Sequence, residues 1–289
     1  ALEIGPGDEV ILPAWTWYAD YDAVILSGAL PVFAEIDESL AMDPTDIEAR
    51  ITPRTRLLIL NSPHNPTGGL LTQADYESIA AVLARHPQVW VYADEIYSRL
   101  VYDGEFASIA GLPGMRERTI ISDGASKTYA MTGWRIGFTA NATLAPVFTR
   151  WITNTESCAS QISQWAALAA LTGPQDEADR MKASFHRRRD LIVRLLNEVP
   201  GFRCASPGGA FYAWPNVTEA CARVGAKDSE ELRKRLLHEA GVAVLADIHF
   251  GRRVPGDGQH IRFSYAASKE AIAEGVRRVD AFVRGQARA

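Results

Sequence analysis

The sequence predicts an α/β fold, a mostly parallel sheet with helices on both faces, followed by a smaller α+β region. Two observations carry that expectation. Up to about residue 170, short apolar runs bounded by turn residues alternate with longer amphipathic stretches, and strand–helix–strand alternation is the pattern of a parallel sheet covered on both sides. Beyond it, an arginine-rich run over 176–199 has little to break a helix, and the elements after it are shorter and mixed. The 289 residues suffice for one large domain or two smaller ones. The expected division is 1–183 for a large domain and 184–289 for a small one, with the boundary inside the long helix.

In order along the chain, the opening "ALEIGPGDEVILP" reads as the last turn of a helix, a Gly/Pro loop and a strand at 10–12. It has no initiator Met and no signal-peptide pattern, so a further segment upstream is expected. Buried strands are expected at 31–34, 57–60, 89–93, 119–121 and 136–139, each short, β-branched or aromatic and flanked by turn residues. Between two of them, 75–84 reads as a helix: Ile79, Val82 and Leu83 share one face, and Thr72 and Asp75 stand at capping-box spacing before it. In the second region, strands are expected at 210–214, 242–245 and 261–264, with helices over 229–239 and from Lys269 onward.

Composition excludes several classes. With 47% hydrophobic and 22% charged residues the chain is ordinary globular material. A net charge of −5 with scattered basic residues gives no electrostatic footprint for nucleic acid. No apolar run reaches the ~18 residues of a membrane span. Cys158, Cys204 and Cys221 form no close-spaced pair, which points to a reducing, cytoplasmic setting rather than a disulfide framework. The histidines are dispersed, so no metal site is expected.

Four stretches put chemistry-bearing residues just after an expected strand, where ligands of such sheets bind. In "NSPHNPTGG" (61–69), two prolines and two glycines impose an irregular turn in which Asn61 and Asn65 present amides; a plain surface turn has the same composition. In "ADEIYSRL" (93–100), Asp94 either caps a following helix or faces a cationic ligand group, with Tyr97 one helical turn along the same face. "GASKTYAMTGWRIGF" (124–138) sets Lys127, one of five lysines, among small residues at the mouth of the sheet. Desolvation there makes a lysine a nucleophilic amine. Arg135 lies between Gly133 and Gly137, where a backbone or phosphate group can approach closely. In "HIRFSYAAS" (260–268), Arg262 sits within an apolar strand and needs a partner, either an internal carboxylate or a substrate carboxylate gripped bidentately. A lysine for an imine, an aspartate for a pyridinium, an arginine for a phosphate and an arginine for a carboxylate are the parts of a pyridoxal-phosphate enzyme acting on amino acids.

In this order and at these separations, the four stretches resemble the hallmarks of the class I/II aminotransferases, the aspartate aminotransferase family of fold-type I PLP-dependent enzymes. The similarity runs from residue 1 to 289. The resemblance implies a fold-type I transferase with pyridoxal 5'-phosphate as cofactor. Lys127 then matches the lysine that holds the cofactor covalently and shuttles the proton between the substrate Cα and the cofactor C4′, and its small neighbours give it room to swing. Asp94 matches the aspartate that keeps the pyridine nitrogen protonated. Asn65 and Tyr97 match the pair that hydrogen-bonds the phenolic oxygen, Ser126 and Arg135 match phosphate ligands, and Arg262 matches the arginine that binds the substrate α-carboxylate, with Asn65 the other substrate-binding residue implied. The aromatic that stacks on the ring is expected from "PAWTWYADY", as Trp17 by its spacing to Gly28, with Trp15 the alternative.

The implied reaction is a ping-pong exchange of an amino group between an L-amino acid and a 2-oxo acid. Related lyases and decarboxylases share the lysine and aspartate, and the aminotransferase-like effector domains of transcription regulators share the motifs as a whole. The resemblance also implies a homodimer with sites at its interface, "NTESCASQ" (154–161) reaching toward the partner. The family's glycine-containing phosphate turn and its N-terminal arm, both upstream of the "GDEV" segment, have no match in 1–289. Substrate choice is not implied. "DIHFGRRVPGDG" (247–258) precedes Arg262, and its Arg252 and Arg253 either favour acidic substrates or belong to a solvated loop.

Overall fold

The computed structural model describes residues 1–253 and 256–285. Six strands form the larger sheet: β1 (Glu9–Pro13), β2 (Leu30–Ala34), β3 (Thr55–Asn61), β4 (Trp90–Asp94), β5 (Thr119–Gly124) and β6 (Gly137–Ala140), in the order β2-β1-β3-β4-β5-β6. Neighbours pair in parallel except β5 and β6, which are antiparallel. Helices α1 (Tyr18–Leu26), α2 (Pro44–Arg50) and α3 (Gln73–Ala84) make the crossovers between the parallel strands, and the four-residue α4 (Ala125–Thr128) follows β5 directly.

Local chemistry starts α3 where the sequence says, and starts α2 in a similar way. The Thr72 hydroxyl accepts from Asp75 N at 3.2 Å and the Asp75 carboxylate accepts from Thr72 N at 2.7 Å, closing the expected capping box of α3. Asp43 accepts from Thr45 N ahead of α2, whose first residue is Pro44, a position that needs no N–H. Ile79 and Leu83 of α3 then pack on Ile11, Leu58, Leu60 and Val91 of the sheet. Each such side chain contributes roughly 1.5–3 kcal/mol on burial.

After α5 (Ala145–Thr155) and α6 (Gln161–Thr172), the long α7 (Asp176–Glu198) leads to a second, antiparallel sheet. It comprises β7 (Tyr212–Ala213), β8 (Leu245–Ala246) and β9 (Ile261–Ser264) in the order β7-β9-β8. With α8 (Thr218–Val224), α9 (Ser229–Arg235) and α10 (Lys269–Val283) it encloses a core that includes Leu196, Leu232, Ile261 and Tyr265. Ser268 caps α10, which buries Ile272, Val276, Val279 and Val283 along one face.

Five expectations are corrected. Of the strands expected to be buried, β6 is exposed at all its residues and β2 is buried only at Ala34. Residues 1–5 form no helix. The strand expected over 210–214 shrinks to two residues, because Ala210 takes a left-handed φ of 57° and Pro215 has no N–H to add to a ladder. The strand expected over 242–245 begins only at Leu245. No helix follows Asp94: Ser98 N donates to Glu95 O and Leu100 N to Tyr97 O, both at 2.8 Å, which makes successive turns. Among the described residues, no helix is long and apolar enough to cross a membrane.

Sheet register brings the chemistry-bearing strand ends together. Asn61 pairs with Asp94, and Asp94 with Ser122, so β3 and β4 end level at their carboxyl ends and β5 runs two residues farther, to Gly124.

Candidate active site

Asn61, the last residue of β3, donates through its side-chain amide to Asp94 Oδ2 at 3.1 Å and to the Asp94 carbonyl at 3.2 Å. Its Oδ1 accepts from Asn65 N at 2.8 Å, which folds the loop 61–69 back over the strand end. The loop is held tightly beneath. His64 Nδ1 lies 2.7 Å from Thr67 Oγ1, Gly69 N donates to the same hydroxyl at 3.1 Å, and a Cβ on Gly69 would meet Leu40 O at 2.0 Å. Burial pushes His64 down to about 4, so the ring is neutral at ordinary pH.

Asp94 receives two amide donors, Asn61 Nδ2 and Ile96 N (3.2 Å to Oδ1), and no ion pair reaches it among the described residues. Burial pushes its carboxyl up to about 7; the Ile96 bond opposes this, and the nearby charges of Asp20, Asp123 and Glu95 reinforce it. A buried acid left without a cation is costly for a fold and useful to a site that takes a positive group.

Lys127 enters from α4, which Gly124 lets lie close against β6: a Cβ there would sit 3.0 Å from both Ile136 O and Gly137 Cα. The lysine is half-buried, its Nζ 5.8 Å from the ring centre of Phe211 and 6.0 Å from that of Tyr97. Burial, then the charges of Arg135 and Arg262, lower its pKa, while Asp94 opposes them. Tyr97 is buried, with its hydroxyl oxygen 2.8 Å from that of Tyr212, and burial raises its pKa.

Arg262, on β9, reaches across from the second sheet. Its Nη1 donates to Asn65 Oδ1 at 2.6 Å, and its guanidinium carbon stands 4.4 Å from the ring centre of Tyr212 and 4.8 Å from that of Phe250. No internal carboxylate pairs with it among the described residues, and burial lowers its pKa.

Trp17, Asn65, Asp94, Tyr97, Lys127 and Arg262 thus line one cavity of about 350 Å³. Trp15 does not: its ring packs 5.4 Å from Trp214 and 5.0 Å from His260. Ser126 and Arg135 also lie outside the lining. Ser126 is half-buried on α4, and Arg135 is exposed, with φ 51° and Nη1 donating to Thr132 O at 2.9 Å. Arg252 and Arg253 line a separate cavity of about 1000 Å³ beside Trp15, and Arg253 pairs with buried Asp247 at 3.3 Å. Val254 and Pro255 of that stretch lie outside the described residues.

Two polar lining residues, Asp20 and Tyr212, escape the sequence reading, and Asn61, whose amide it singled out, receives no role there. Asn61 has a signal, since it ends its strand in register with Asp94. Asp20, in the first turn of α1 and accepting from the Thr16 hydroxyl, has a weaker one in its spacing to Trp17. Tyr212 has none within an apolar run.

A strand-end cavity that gathers a half-desolvated amine, an unpaired acid, a phenol and an unpaired guanidinium is built for chemistry on a small charged molecule. The family model of class I and II aminotransferases matches residues 1–279, and the chain belongs to that family. An aspartate/prephenate aminotransferase of Cereibacter sphaeroides is 41% identical over 98% of this chain and 72% of its own length. An aspartate aminotransferase of Rhizobium meliloti is 40% identical over 96% of this chain and 69% of its own. Among solved structures, an aspartate aminotransferase from Rhizobium meliloti superposes with a TM-score of 0.90 at 38% identity, covering 98% of this chain and 72% of that one. An aromatic aminotransferase from Pyrococcus horikoshii gives 0.91 at 34%, covering 99% and 76%. The protein is an aminotransferase with the fold-type I architecture expected from its sequence.

Proposed function

We propose that the chain binds pyridoxal 5'-phosphate in the cavity around Lys127 and exchanges an amino group between an L-amino acid and a 2-oxo acid by a ping-pong route, with aspartate as an amino donor. The observation that carries this reading is the complementary pair in the cavity. Asp94 is pushed up to about 7 with no ion pair among the described residues, and the ammonium of Lys127 is destabilised. A protonated ring nitrogen supplies the charge Asp94 lacks, and a neutral amine at Lys127 is the form that attacks a carbonyl. The residues therefore fit the cofactor.

When bound, the cofactor supplies a carbonyl that takes up the amino group and a ring that draws electrons from the substrate Cα. Asp94 holds the proton on the ring nitrogen, and Asn65 and Tyr97 hydrogen-bond the phenolic oxygen. Ser126 and Arg135 bind the phosphate, and Trp17 stacks on the ring. Arg262 grips the substrate α-carboxylate and so orients the Cα–H bond, and Lys127, once free, moves the proton at that carbon. The choice of aspartate rests on the names of the relatives.

The same reading divides the chain into a cofactor-binding domain over 1–183 and a smaller domain over 184–289, and makes it a cytoplasmic homodimer. The exposed apolar side chains Trp151 and Ile152 on α5 and Ile162 and Trp165 on α6 support a second copy covering these helices. Sedimentation of wild type as a dimer and of Trp165→Glu as a monomer checks this.

The experiment for the reaction is the visible spectrum of the purified protein with pyridoxal phosphate, before and after aspartate and then 2-oxoglutarate. Transamination gives a band that disappears with the donor and returns with the oxo acid. A band indifferent to every amino donor contradicts the proposal.

A further inference from the structure

We infer that Tyr212 is a positioning residue: its hydroxyl donates to Tyr97 Oη, which commits the single proton of Tyr97 to an oxygen of the ligand in the cavity, and Arg262 strengthens that donation. The inference rests on the proposed cofactor and deepens that proposal.

The two phenol oxygens are 2.8 Å apart, and both side chains are buried. Each hydroxyl has one proton to give. If Tyr97 gives its proton to Tyr212, it can only accept from the cavity. If Tyr212 gives, Tyr97 remains a donor toward the ligand's phenolic oxygen. The two rings have different surroundings, and these decide the direction.

The Arg262 guanidinium carbon stands 4.4 Å from the centre of the Tyr212 ring. An arginine keeps its charge under all ordinary conditions, and a cation on a phenol's π-face acidifies the hydroxyl, which makes it the better donor. The Tyr97 ring meets mainly neutral edges, Phe211 at 5.5 Å and Tyr212 at 5.8 Å, both nearly perpendicular. Of the charged groups around the pair, Asp94 at the end of β4 disfavours ionisation of Tyr97, and Arg262 from β9 favours it in both tyrosines. Lys127 from α4 lies farther off, 6.0 Å from the Tyr97 ring, and Arg135 acts on that lysine from beyond.

The arrangement is also rigid. Tyr212 pairs with Ser264 and Ala213 with Phe263, so the tyrosine is fixed to the same β9 that carries Arg262. Tyr97 belongs to the turns after β4. The phenol pair therefore bridges the two sheets and links the carboxylate-binding arginine to the residue that reads the cofactor oxygen. A carboxylate on Arg262 neutralises the charge over the Tyr212 ring, weakens its donation, and so couples substrate binding to the cofactor's proton affinity.

The test is Tyr212→Phe, which keeps the ring and its contact with Arg262 and removes only the hydroxyl. In protein loaded with pyridoxal phosphate, the pH midpoint of the cofactor's visible absorbance is expected to rise by a few tenths of a unit, because Tyr97 still donates to the ligand and loses only the strengthening that the Tyr212 bond lends it. Tyr97→Phe moves it further in the same direction, and adding Tyr212→Phe to Tyr97→Phe moves it no more. A purely structural tyrosine would shift the melting temperature and leave the midpoint alone. A Tyr212→Phe midpoint equal to that of wild type, alongside a shifted Tyr97→Phe, overturns the inference and leaves the proposed cofactor standing. Additive shifts in the double variant overturn it as well. A wild-type protein with no pH-dependent visible band overturns both.

Discussion

At the amino end of β1, the buried carboxylate of Glu9 is paired with Arg54 and accepts from the Thr52 hydroxyl, and Asp8 beside it pairs with Arg56 at 3.1 Å. At the carboxyl end of β4, in the same sheet, the half-buried Asp94 has a carboxylate with two amide donors and, among the described residues, no ion pair. The arginines repeat the contrast. Buried Arg189 on α7 pairs with Asp103 and, at 2.8 Å, with Asp190, and also donates to Pro207 O, whereas Arg262 has an amide oxygen and aromatic faces. Charges satisfied within the chain hold its parts together. Charges satisfied only by neutral groups mark where a ligand completes them.

The largest effect that sharpens this contrast is at Lys127. Lys127→Ala removes both the amine and the proton carrier, and single-turnover amino transfer is expected to fall by at least about 1000-fold. Unfolding by denaturant should be little changed, since the lysine makes no ion pair among the described residues.

Asp94→Asn comes next, with transfer down by about 100-fold or more and a distinctive stability profile. Burial raises the folded pKa of Asp94 to about 7, above the ordinary carboxylate range. Between about pH 4 and 7 the folded, cofactor-free protein therefore binds a proton that the unfolded chain has released. Its contribution to stability is present at acidic pH and is lost as pH rises through about 7, at about 1.4 kcal/mol for each pH unit separating the folded and unfolded pKa values. Melting temperature against pH should fall across that window in the wild type and fall less in Asp94→Asn.

The two arginines form a matched pair. Arg262→Gln should raise KM for the amino acid about 100-fold with a small change in melting temperature, because a charge-assisted carboxylate grip is lost. Arg189→Gln should lower the melting temperature and leave KM alone. Exchange of those outcomes would break the contrast. The smallest effect is at Glu9, where Glu9→Gln should cost about 1 kcal/mol in denaturant unfolding, with no change in rate.

The central strands of the large sheet and most of its site were legible because parallel strands buried on both faces leave short β-branched runs, and because strand ends carry unusual residues; β2 and β6 carry similar runs although β2 is buried only at Ala34 and β6 at no residue. Lys127 among glycine, alanine and serine and Arg262 within an apolar strand stand out against composition alone. What stayed hidden depends on partners distant in sequence. β7 and β8 are strands only where β9 meets them. Tyr212 looks like any core aromatic until Tyr97, 115 residues away, supplies its hydrogen bond. The turns after Asp94 were missed because Asp-Glu-Ile-Tyr suits a capped helix start equally well. Trp15 and Trp17 could be separated only by neighbours, Trp214 and His260 claiming the first.

The most direct test of the central claim is to load the protein with pyridoxal phosphate, reduce it with borohydride, digest it, and map the trapped cofactor by mass spectrometry. Modification at Lys127, and not at the four other lysines, is the predicted result. Cofactor spread over Lys182, Lys227, Lys234 and Lys269, or absent from Lys127, would contradict the account.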